Sequence, residues 1–493
     1  MSLTISVKEV VDSDNDPLLS IHETWERIEL GLVASILNGA AFSSKLFSKQ
    51  TGWPLIRIRD VGQESTNCFY TGEFEEKYSI ESGDLLVGMD GDFRACVWHG
   101  PKALLNQRVC KIELKKKEYE PRFLELALPG YLTAIRRHTS AVTVTHLSSR
   151  DIAEIPLPLP PLAEQRRIVA AVERILDKVT AARARLDRVP KTLKRFRQAV
   201  LAAACSGRLT ADWRIQNPDI ETANGLLAKL RISADVDGPY EIPPTWQWLK
   251  FGSVLSEFRN GLSTKPSQTP PGVPILRINA VRSGDVSFDD LRYLDCSEAQ
   301  KAEYTIRDND LLFTRYNGSI DLLGVCGMVR GVNGRIMVYP DKLMRARMAS
   351  PDILPEYCEL FFGSPDARER MVGKSKSSAG QNGISGADVK AQSLALPPLA
   401  EQQEIVKRVS ALFTRADAIE AAVTAARKRV DALTQAVLAK AFRGELVPTE
   451  AALARRENRP YEPAADLLAR LQSTATAIAK PTRTRKTKTP PTS

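Results

Sequence analysis

The sequence predicts an α+β protein made of two globular units and two long helices, arranged as a pseudo-twofold internal repeat. Three observations lead to this fold class. A seven-residue motif occurs twice, a heptad pattern of apolar residues follows each copy, and short β-rich segments separated by turns precede each copy. Because globular unit and helix recur in the same order, each globular unit is expected to belong with one long helix.

Composition limits the class of protein. The chain has 493 residues, of which 43% are hydrophobic and 26% are charged, and both fractions are ordinary for a folded protein. At roughly 150 residues per domain, this length predicts about three domains. Apolar runs are interrupted well before the roughly 18 residues of a membrane span, and the first residues lack a signal-peptide pattern. We therefore expect a cytoplasmic protein.

Cysteine and histidine are placed in a way that argues against a metal site. None of the seven cysteines forms a C-x-x-C pair, and the four histidines all lie in the first third of the chain. Scattered cysteines of this kind are typical of reduced, buried thiols. The sequence therefore predicts neither a metal site nor a disulfide framework.

The repeat is carried by the motif Leu-Pro-Pro-Leu-Ala-Glu-Gln, which occupies residues 159–165 and again residues 396–402. At the same offset of 237 residues, the segment at 198–202 recurs at 435–439 as Gln-Ala-Val-Leu-Ala. No gap is needed between the two landmarks, so the two copies have equal length. Chance is a poor explanation for two matches in one register.

A heptad pattern fills the sequence between these landmarks. Apolar positions with alternating spacings of four and three residues are the signature of a coiled-coil seam. Each helix is expected to begin at its motif and to end near Gly207 or Gly444, giving a length of roughly 65 Å for about 45 residues. Pro190 interrupts the first copy, where we expect a kink or a break. The predicted seam comprises Ile168, Val172, Ile175, Val179, Leu186, Val189, Leu193, Phe196 and Val200 in the first copy and Ile405, Val409, Leu412, Ile419, Val423, Val430, Leu433 and Val437 in the second.

The two seams have no other predicted partner of equal length, so we expect the helices to pack on each other. The alternative is two separate amphipathic helices, each on its own domain. The chain then divides into a first globular unit at 1–155, a first long helix at 156–210, a connecting segment with a short helix at 211–244, a second globular unit at 245–392, a second long helix at 393–446, a short helical region at 447–479 and a disordered basic tail at 480–493.

Catalytic motifs are missing from the sequence. It contains no phosphate-binding loop, dinucleotide-binding glycine pattern, zinc-protease motif, nucleophile elbow or amino-methyltransferase motif. Basic charge is concentrated instead: between residues 164 and 208, twelve Lys or Arg residues stand against four Asp or Glu residues. Such clustering indicates a partner that is a polyanion, although a solvated face of a coiled coil would also produce it.

Taken together, the two motifs, the globular unit before each and the heptad helix ending in Gly-Arg-Leu or Gly-Glu-Leu resemble the specificity (S) subunit of type I restriction-modification enzymes. The resemblance covers the chain from about Trp25 to Leu471. It implies that each globular unit is a target recognition domain reading one half of a split double-stranded DNA site. It also implies that the long helices form an antiparallel coiled-coil spacer that separates these domains and docks two methyltransferase subunits.

The resemblance further implies that this chain is not catalytic. Adenine methylation and ATP-dependent cleavage would belong to the methyltransferase subunits and to the restriction subunits that join them. S-adenosylmethionine, ATP and Mg²⁺ are accordingly expected on partner subunits, and none of them on this chain. Residues at the ends of the long helices, including Leu162 and Leu399, are expected either to contact partner subunits or simply to cap and pack the helices.

Candidate DNA-binding residues are polar side chains expected on loops, because Arg and Lys suit guanine whereas Asn and Gln suit adenine. Arg57 and Arg277 occupy matching positions, so they are better suited to phosphate or structural contacts than to base reading. The Gly/Ser-rich segment 373–383 suits either a loop that approaches phosphates or a plain linker. The candidates are Arg57, Arg59, Arg94, Asn106, Gln107 and Arg108 in the first unit and Arg277, Asn279, Arg315, Tyr316, Asn317, Lys374, Lys376, Gln381 and Asn382 in the second.

Two other function classes remain open from the sequence. One is a methyltransferase or nuclease fused to its own specificity region, which the repeats leave little room for. The other is a structural coiled-coil adaptor that does not touch DNA.

Overall fold

The computed structural model describes residues 6–139, 146–233, 236–378 and 381–479, so the predicted basic tail at 480–493 lies outside the described residues. The chain forms two compact units. Unit 1 comprises Met1–Arg185 and Ala426–Ser493, and unit 2 comprises Leu186–Ala425. Both contain helices and sheets, as expected of an α+β protein. Each unit includes parts of both long helices, because the division falls inside these helices.

The elements up to the end of the first long helix are α1 Val7–Ser13, β1 Glu26–Glu29, α2 Leu30–Val33, β2 Ala34–Asn38, β3 Phe47–Ser48, β4 Trp53–Ile56, β5 Phe69–Tyr70, β6 Ser79–Ile80, β7 Leu85–Gly88, β8 Ala95–Val97, β9 Ala103–Leu105, β10 Val109–Leu114, α3 Pro121–Thr139, α4 Ser149–Ala153, β11 Pro156–Leu159 and α5 Leu162–Cys205.

The elements that follow are α6 Ala211–Gln216, α7 Ala223–Leu230, β12 Gln247–Lys250, β13 Leu255–Asn260, β14 Val273–Ile275, β15 Val281–Arg282, β16 Asp285–Val286, β17 Arg292–Leu294, α8 Glu298–Tyr304, β18 Leu311–Thr314, β19 Tyr316–Asn317, β20 Cys326–Met328, β21 Leu343–Met348, α9 Pro355–Gly363, α10 Pro365–Gly373, β22 Lys376–Ser378, β23 Gln381–Gly383, α11 Gly386–Lys390, β24 Ser393–Leu396, α12 Leu399–Phe442, α13 Glu450–Glu457 and α14 Ala464–Ala479.

Unit 1 is built on a four-stranded sheet of order β2-β10-β7-β8 in which every pair of neighbours is antiparallel. A five-stranded sheet of order β3-β5-β4-β9-β6 contains the parallel pair β4 and β9, and β1 pairs with β11 just before the first motif copy. The largest core of the unit lies between the four-stranded sheet and α3, where Phe123 and Tyr131 are fully buried.

Unit 2 repeats part of this topology. Its four-stranded antiparallel sheet has the order β13-β21-β18-β20, and β12 pairs with β24 just before the second motif copy. Three small sheets complete the unit: β14 with β17, β15 with β16, and the three strands β19-β23-β22. The main core gathers Phe313, Phe361 and Phe362 around α9, and all three rings are buried.

Both long helices have 44 residues. The expected break at Pro190 is wrong, because α5 continues from Leu162 to Cys205 with Pro190 inside it. A proline inside a helix removes one hydrogen bond and presses on the preceding turn, at a cost of about 3 kcal/mol. This local cost is small beside the hydrogen bonds and side-chain packing of a helix of this length.

In unit 1, contacts between the two long helices follow opposite chain directions. Ile168 and Val437 share one core, and both are buried. Arg183 forms an ion pair with Asp431 further along α5. Arg167, near the start of α5, forms an ion pair with Glu450, just beyond the end of α12. The partner position therefore falls from 450 to 431 while the position on α5 rises from 167 to 183.

The same reversal is found within unit 2. Val200 shares a core with Ile405 and Val409. Arg197 of α5 lies 2.6 Å from a carboxylate oxygen of Asp417 and 2.9 Å from one of Glu420. Arg408 of α12 donates to the carbonyl of Leu209, just beyond the end of α5. The partner position on α12 therefore falls from 417–420 to 408 as the position along the chain rises from 197 to 209.

Burial of the predicted seam is uneven. Seam residues near the globular parts belong to large cores, whereas Phe196, Ile419 and Leu433 retain 38%, 49% and 47% of their surface. For these three residues the expectation of a buried seam is wrong. They lie in helix segments that join no core cluster of the described residues, and a single neighbouring helix covers only one side of a long side chain.

Candidate nucleic-acid interface

The Glu–Gln end of the first motif copy anchors α5 to the globular part of unit 1. Glu164, which is 1% exposed, accepts hydrogen bonds from Trp25 Nε1 at 3.0 Å and from the backbone N–H of Glu450 at 2.7 Å. Burial raises the pKa of Glu164, and these hydrogen bonds act in the opposite direction. Gln165 accepts from the backbone N–H of Glu120 at 2.7 Å and donates to the carbonyl of Pro160 at 2.8 Å.

The second copy makes matching contacts inside unit 2. Glu401, which is fully buried, accepts from Trp246 Nε1 at 2.7 Å and from the Thr210 hydroxyl at 2.6 Å. Gln402 accepts from the backbone N–H of Leu354 at 2.8 Å and donates to the carbonyl of Pro397 at 3.0 Å. Both motif copies therefore serve as buried hydrogen-bonding anchors, which explains why these polar residues recur at the start of each long helix.

Three of the first-unit DNA-binding candidates come together around two aspartates. Arg94 Nη2 lies 3.3 Å from a carboxylate oxygen of Asp92, and Arg108 Nη1 lies 3.0 Å from one of Asp90. Arg59 lines the same cleft as Arg94, Asp90 and Asp92. We call this the first cleft. Asp92 also lies 2.6 Å from Arg136 Nη1, and Asp90 lies 2.6 Å from His146 Nδ1.

The backbone brings these loops together. The N–H of Met89 donates to the carbonyl of Arg108 at 3.0 Å, and the N–H of Leu147 donates to the carbonyl of Met89 at 2.8 Å. The turns after β7 and before β10 therefore meet the segment after α3 at one end of the two central strands of the four-stranded sheet. The side chains of Asp92, Arg94, Arg108 and His146 at this end are exposed, and binding residues are often found on such surface loops.

The remaining first-unit candidates have more local roles. Arg57 donates from its side chain to Asn67 at 3.3 Å, and its Nε lies 3.7 Å from Asp60, whose carboxylate also accepts the Arg57 backbone N–H. These contacts favour a structural role for Arg57. The backbone N–H groups of Asn106 and Gln107 hold the turn before β10 in place.

In unit 2, Arg315, Tyr316 and Lys376 line one cleft together with Gly383 and Asp388. We call this the second cleft. The Arg315 guanidinium lies over the ring of Tyr316, with its carbon 4.8 Å from the ring centroid. Asp388 is already engaged in the capping box at the start of α11. The cleft therefore has an excess of positive charge.

The small three-stranded sheet places further candidates beside the second cleft. Asn317 pairs with Asn382 in the β19–β23 register, and the Asn382 side chain donates to the carbonyl of Gly318 at 3.5 Å. Lys374 is exposed at the end of α10. The side chain of Gln381 lies outside the described residues.

Arg277 and Asn279 form a separate group, which no described contact joins to the second cleft. Arg277 Nη1 lies 2.5 Å from a carboxylate oxygen of Asp290, and the Asn279 amide donates to the same oxygen at 3.3 Å. Hydrogen bonds from Asn279 and Arg277 lower the pKa of Asp290. A carboxylate shared in this way holds both neighbouring side chains in one orientation.

Sequence reasoning missed Asp90, which lines the first cleft, and two polar residues that contact cleft residues, His146 and Lys342. Lys342 accepts the backbone N–H of Arg315 at its carbonyl, at 2.8 Å, and its Nζ lies 5.0 Å from the Tyr316 ring centroid. The sequence does contain a pattern that points to this region: capping boxes begin at Ser148 and Ser385, again 237 residues apart. Extending the repeat to those caps would have placed residue 146 opposite residue 383.

Among the described residues, no group of three or more His, Cys, Asp or Glu side chains is arranged to hold a metal ion. In the same ranges of the chain, no helix is long and apolar enough to cross a membrane.

Comparison with known proteins agrees with this architecture. A family model described as the type I restriction modification DNA specificity domain matches residues 22–191. The specificity subunit of the type I restriction enzyme EcoBI from Escherichia coli is 40% identical, over 90% of this chain and 91% of that protein. The EcoKI specificity subunit from Escherichia coli K12 is 36% identical, over 86% of this chain and 89% of that protein.

Solved structures show the likeness in fold. A chain from a study of complex assembly and conformational transition of the type I R-M system has a TM-score of 0.61 at 18% identity, covering 86% of this chain and 99% of that one. The HsdS subunit from Thermoanaerobacter tengcongensis has a TM-score of 0.51 at 17% identity, covering 86% and 98%. These two structures show that the chain shares their fold. By its sequence, the chain belongs to the family of type I restriction enzyme specificity subunits.

Proposed function

We propose that this chain is the sequence-specific DNA-binding subunit of a type I restriction-modification complex and reads a bipartite double-stranded site. The observation that carries this proposal is the presence of one polar loop cleft in each unit, built on corresponding strands but lined by different side chains. Two similar supports with different polar linings suit two different half-sites. Arg94 and Arg108 in unit 1 and Arg315 and Lys376 in unit 2 are the central candidates.

We further propose that the two long helices form an antiparallel coiled-coil spacer with pseudo-twofold symmetry. The reversed order of contacts between α5 and α12 within each unit supports this geometry, as do the matching anchors at Glu164 and Glu401. The helices would then hold apart two target recognition domains, centred on 1–155 and 245–392.

Docking of two methyltransferase subunits, and of restriction subunits through them, is part of the same proposal. The relatives are named as subunits of restriction enzymes, which supports an assembly of several chains. Under this proposal the chain itself is not catalytic, and S-adenosylmethionine, ATP and Mg²⁺ bind to the partner subunits. The lack of nucleotide-binding and methyl-donor motifs in the sequence supports this division of labour.

The decisive experiment compares the methylated adenines of host DNA with and without this gene, in cells that retain the methyltransferase. We expect one split, asymmetric motif to lose its methylation completely when the gene is deleted. A methylome that is unchanged by the deletion would contradict the proposal. Methylation by the purified chain alone would instead favour a fused enzyme, and retention of the motif after exchange of residues 1–155 with those of a relative would favour a structural adaptor.

A further inference from the structure

The two clefts share a backbone frame. In unit 1, the carbonyl of Met89 accepts from the backbone N–H of Leu147 at 2.8 Å, and the N–H of Met89 donates to the carbonyl of Arg108 at 3.0 Å. In unit 2, Arg315 makes the corresponding two hydrogen bonds. Its carbonyl accepts from the backbone N–H of Ile384 at 3.0 Å, and its N–H donates to the carbonyl of Lys342 at 2.8 Å.

The next residue along the chain extends this frame. Asp90 forms an antiparallel bridge with His146, and Tyr316 pairs in the same sense with Gly383. Four backbone positions of unit 1 therefore have direct counterparts in unit 2. The frame positions are Met89, Asp90, Arg108 and His146 in unit 1 and Arg315, Tyr316, Lys342 and Gly383 in unit 2.

The side chains at these frame positions differ in chemistry. In unit 1 the carboxylate of Asp90 accepts from both Arg108 and His146, and Met89 is buried at 3% exposure. In unit 2 the corresponding carboxylate is replaced by the ring of Tyr316, and the buried methionine is replaced by Arg315. Positions with a fixed backbone and variable polar side chains are those at which sequence is read, since phosphate contacts are the same for every sequence.

Within the part of the chain that the structure describes, the Arg315 guanidinium has hydrogen-bonding capacity that is not used. No described residue accepts a hydrogen bond from its guanidinium, and its Nε is buried without a partner. The guanidinium lies over the ring of Tyr316, with its carbon 4.8 Å from the ring centroid, and this contact supplies no hydrogen-bond acceptor for its N–H groups. By contrast, Arg94 and Arg108 in unit 1 already bind aspartates. A partly buried arginine with free donors requires an acceptor.

We infer that the four frame positions in each unit determine sequence specificity, and that Arg315 reads a guanine in the half-site of unit 2. This inference rests on the proposed function. A planar guanidinium with two parallel N–H groups matches the O6 and N7 acceptors of guanine in the major groove. Tyr316 acts as a positioning residue for Arg315. Lys374 and Lys376, which are exposed on the neighbouring segment, are available for phosphates.

Lys342 supports this arrangement without competing for the base. Its Nζ lies over the same Tyr316 ring at 5.0 Å and is 3.8 Å from Asp341. The aromatic ring therefore has two cations beside it, and only Arg315 lacks an acidic neighbour within ion-pair distance among the described residues.

The test is the sequence preference of the full chain, purified with its methyltransferase partner, on a pool of randomised duplexes. Bound duplexes are sequenced for the wild type, for Arg315→Met and for Arg282→Met. Methionine is the residue at the matching frame position of unit 1. Arg282 is an exposed arginine of the same unit whose guanidinium contacts only the neighbouring carbonyl of Val281 among the described residues, so its substitution controls for loss of charge.

We expect Arg315→Met to relax a guanine preference at one position of one half-site by roughly ten-fold or more, with the other half unchanged. Arg282→Met should leave every base preference unchanged. A uniform loss of affinity without relaxation at any base would show a phosphate contact and would overturn the inference, as would unchanged binding. Absence of any preference in the wild type would instead contradict the proposed function itself.

A second pair of variants tests the inference even if Arg315→Met fails to fold. Tyr316→Leu removes the aromatic ring but no charge, whereas Tyr316→Phe keeps the ring. Relaxation at the same guanine by Tyr316→Leu, with preference retained by Tyr316→Phe, is the expected result. Equal preferences in both variants would overturn the positioning role.

Discussion

Glu401 illustrates how a single buried carboxylate fixes a helix to a globular domain. Its side chain is inaccessible to solvent, yet it accepts hydrogen bonds from an indole, a hydroxyl and the guanidinium of Arg214. Burying a charge is unfavourable unless its acceptor sites are filled, and here several donors fill them. Glu164 has the corresponding role in unit 1, with a backbone N–H in place of the hydroxyl.

We therefore expect Glu401→Ala to lower the free energy of unfolding by about 3–5 kcal/mol, because Arg214, Trp246 and Thr210 would lose their acceptor in a buried site. Urea denaturation followed by circular dichroism measures this change. Glu420→Ala on the same helix is the control. Its side chain is 54% exposed and pairs with Arg197, so its removal should cost at most about 1 kcal/mol. Equal losses for both variants would contradict the anchoring role.

Among the elements, α5 tolerates a proline in its interior. Pro190 leaves one turn without its hydrogen bond, but the helix continues for a further fifteen residues to Cys205. The long helices are therefore stabilised by their anchored ends and by core contacts near those ends more than by an ideal backbone in the middle.

Replacing this proline gives a prediction about the element as a whole. Pro190→Ala restores a backbone donor inside a helix and should stabilise the protein by about 1–3 kcal/mol. The midpoint of thermal unfolding, followed by helical circular dichroism, should rise. Pro448→Ala, in the loop before α13, is the control and should change stability by less than about 1 kcal/mol. A lower midpoint for Pro190→Ala would show that the proline has a structural role of its own.

At the scale of the whole molecule, the two units use one backbone frame for different chemistry. Met89 and Arg315 occupy the same place in this frame but have opposite polarity. Under the proposed function, a change in one cleft should alter only one half of the DNA site.

Asp90→Asn, a substitution in unit 1, tests whether the two units read their half-sites independently. The substitution removes the charge that binds Arg108 and His146, and an amide replaces an acceptor with a group that also donates. We expect altered preference at one or two positions of the first half-site and none in the second. Sequencing of bound duplexes, as for Arg315, provides the measurement. Changes in both halves would show that the units do not read independently.

Much of the architecture was accessible from the sequence, because the repeat and the heptads depend only on residue type and spacing. The α+β class, the ends of the long helices near their glycines and the family all follow from those patterns. The sequence could not show which heptad residues are covered. Ile419 and Leu433 match the pattern yet remain about half exposed, since coverage depends on which elements surround them.

The site was less accessible for a related reason. In the sequence, Arg59, Arg94 and Arg108 are candidates only by their individual chemistry. The structure brings them together near aspartates that no sequence motif marks. Lys342 was missed because it precedes a strand that lies beside Arg315 only after the sheet forms.

By itself, the sequence of this protein determined the repeat, the two long helices and the family, because local pattern and similarity specify them. Only the tertiary structure decided which charged side chains are satisfied within the protein and which retain free donors. Arg108 and Arg315 are both arginines in a sequence, but one faces Asp90 and the other faces an aromatic ring. Hydrogen-bond satisfaction depends on neighbours that are distant in the chain, so it is settled only when the strands and loops are assembled.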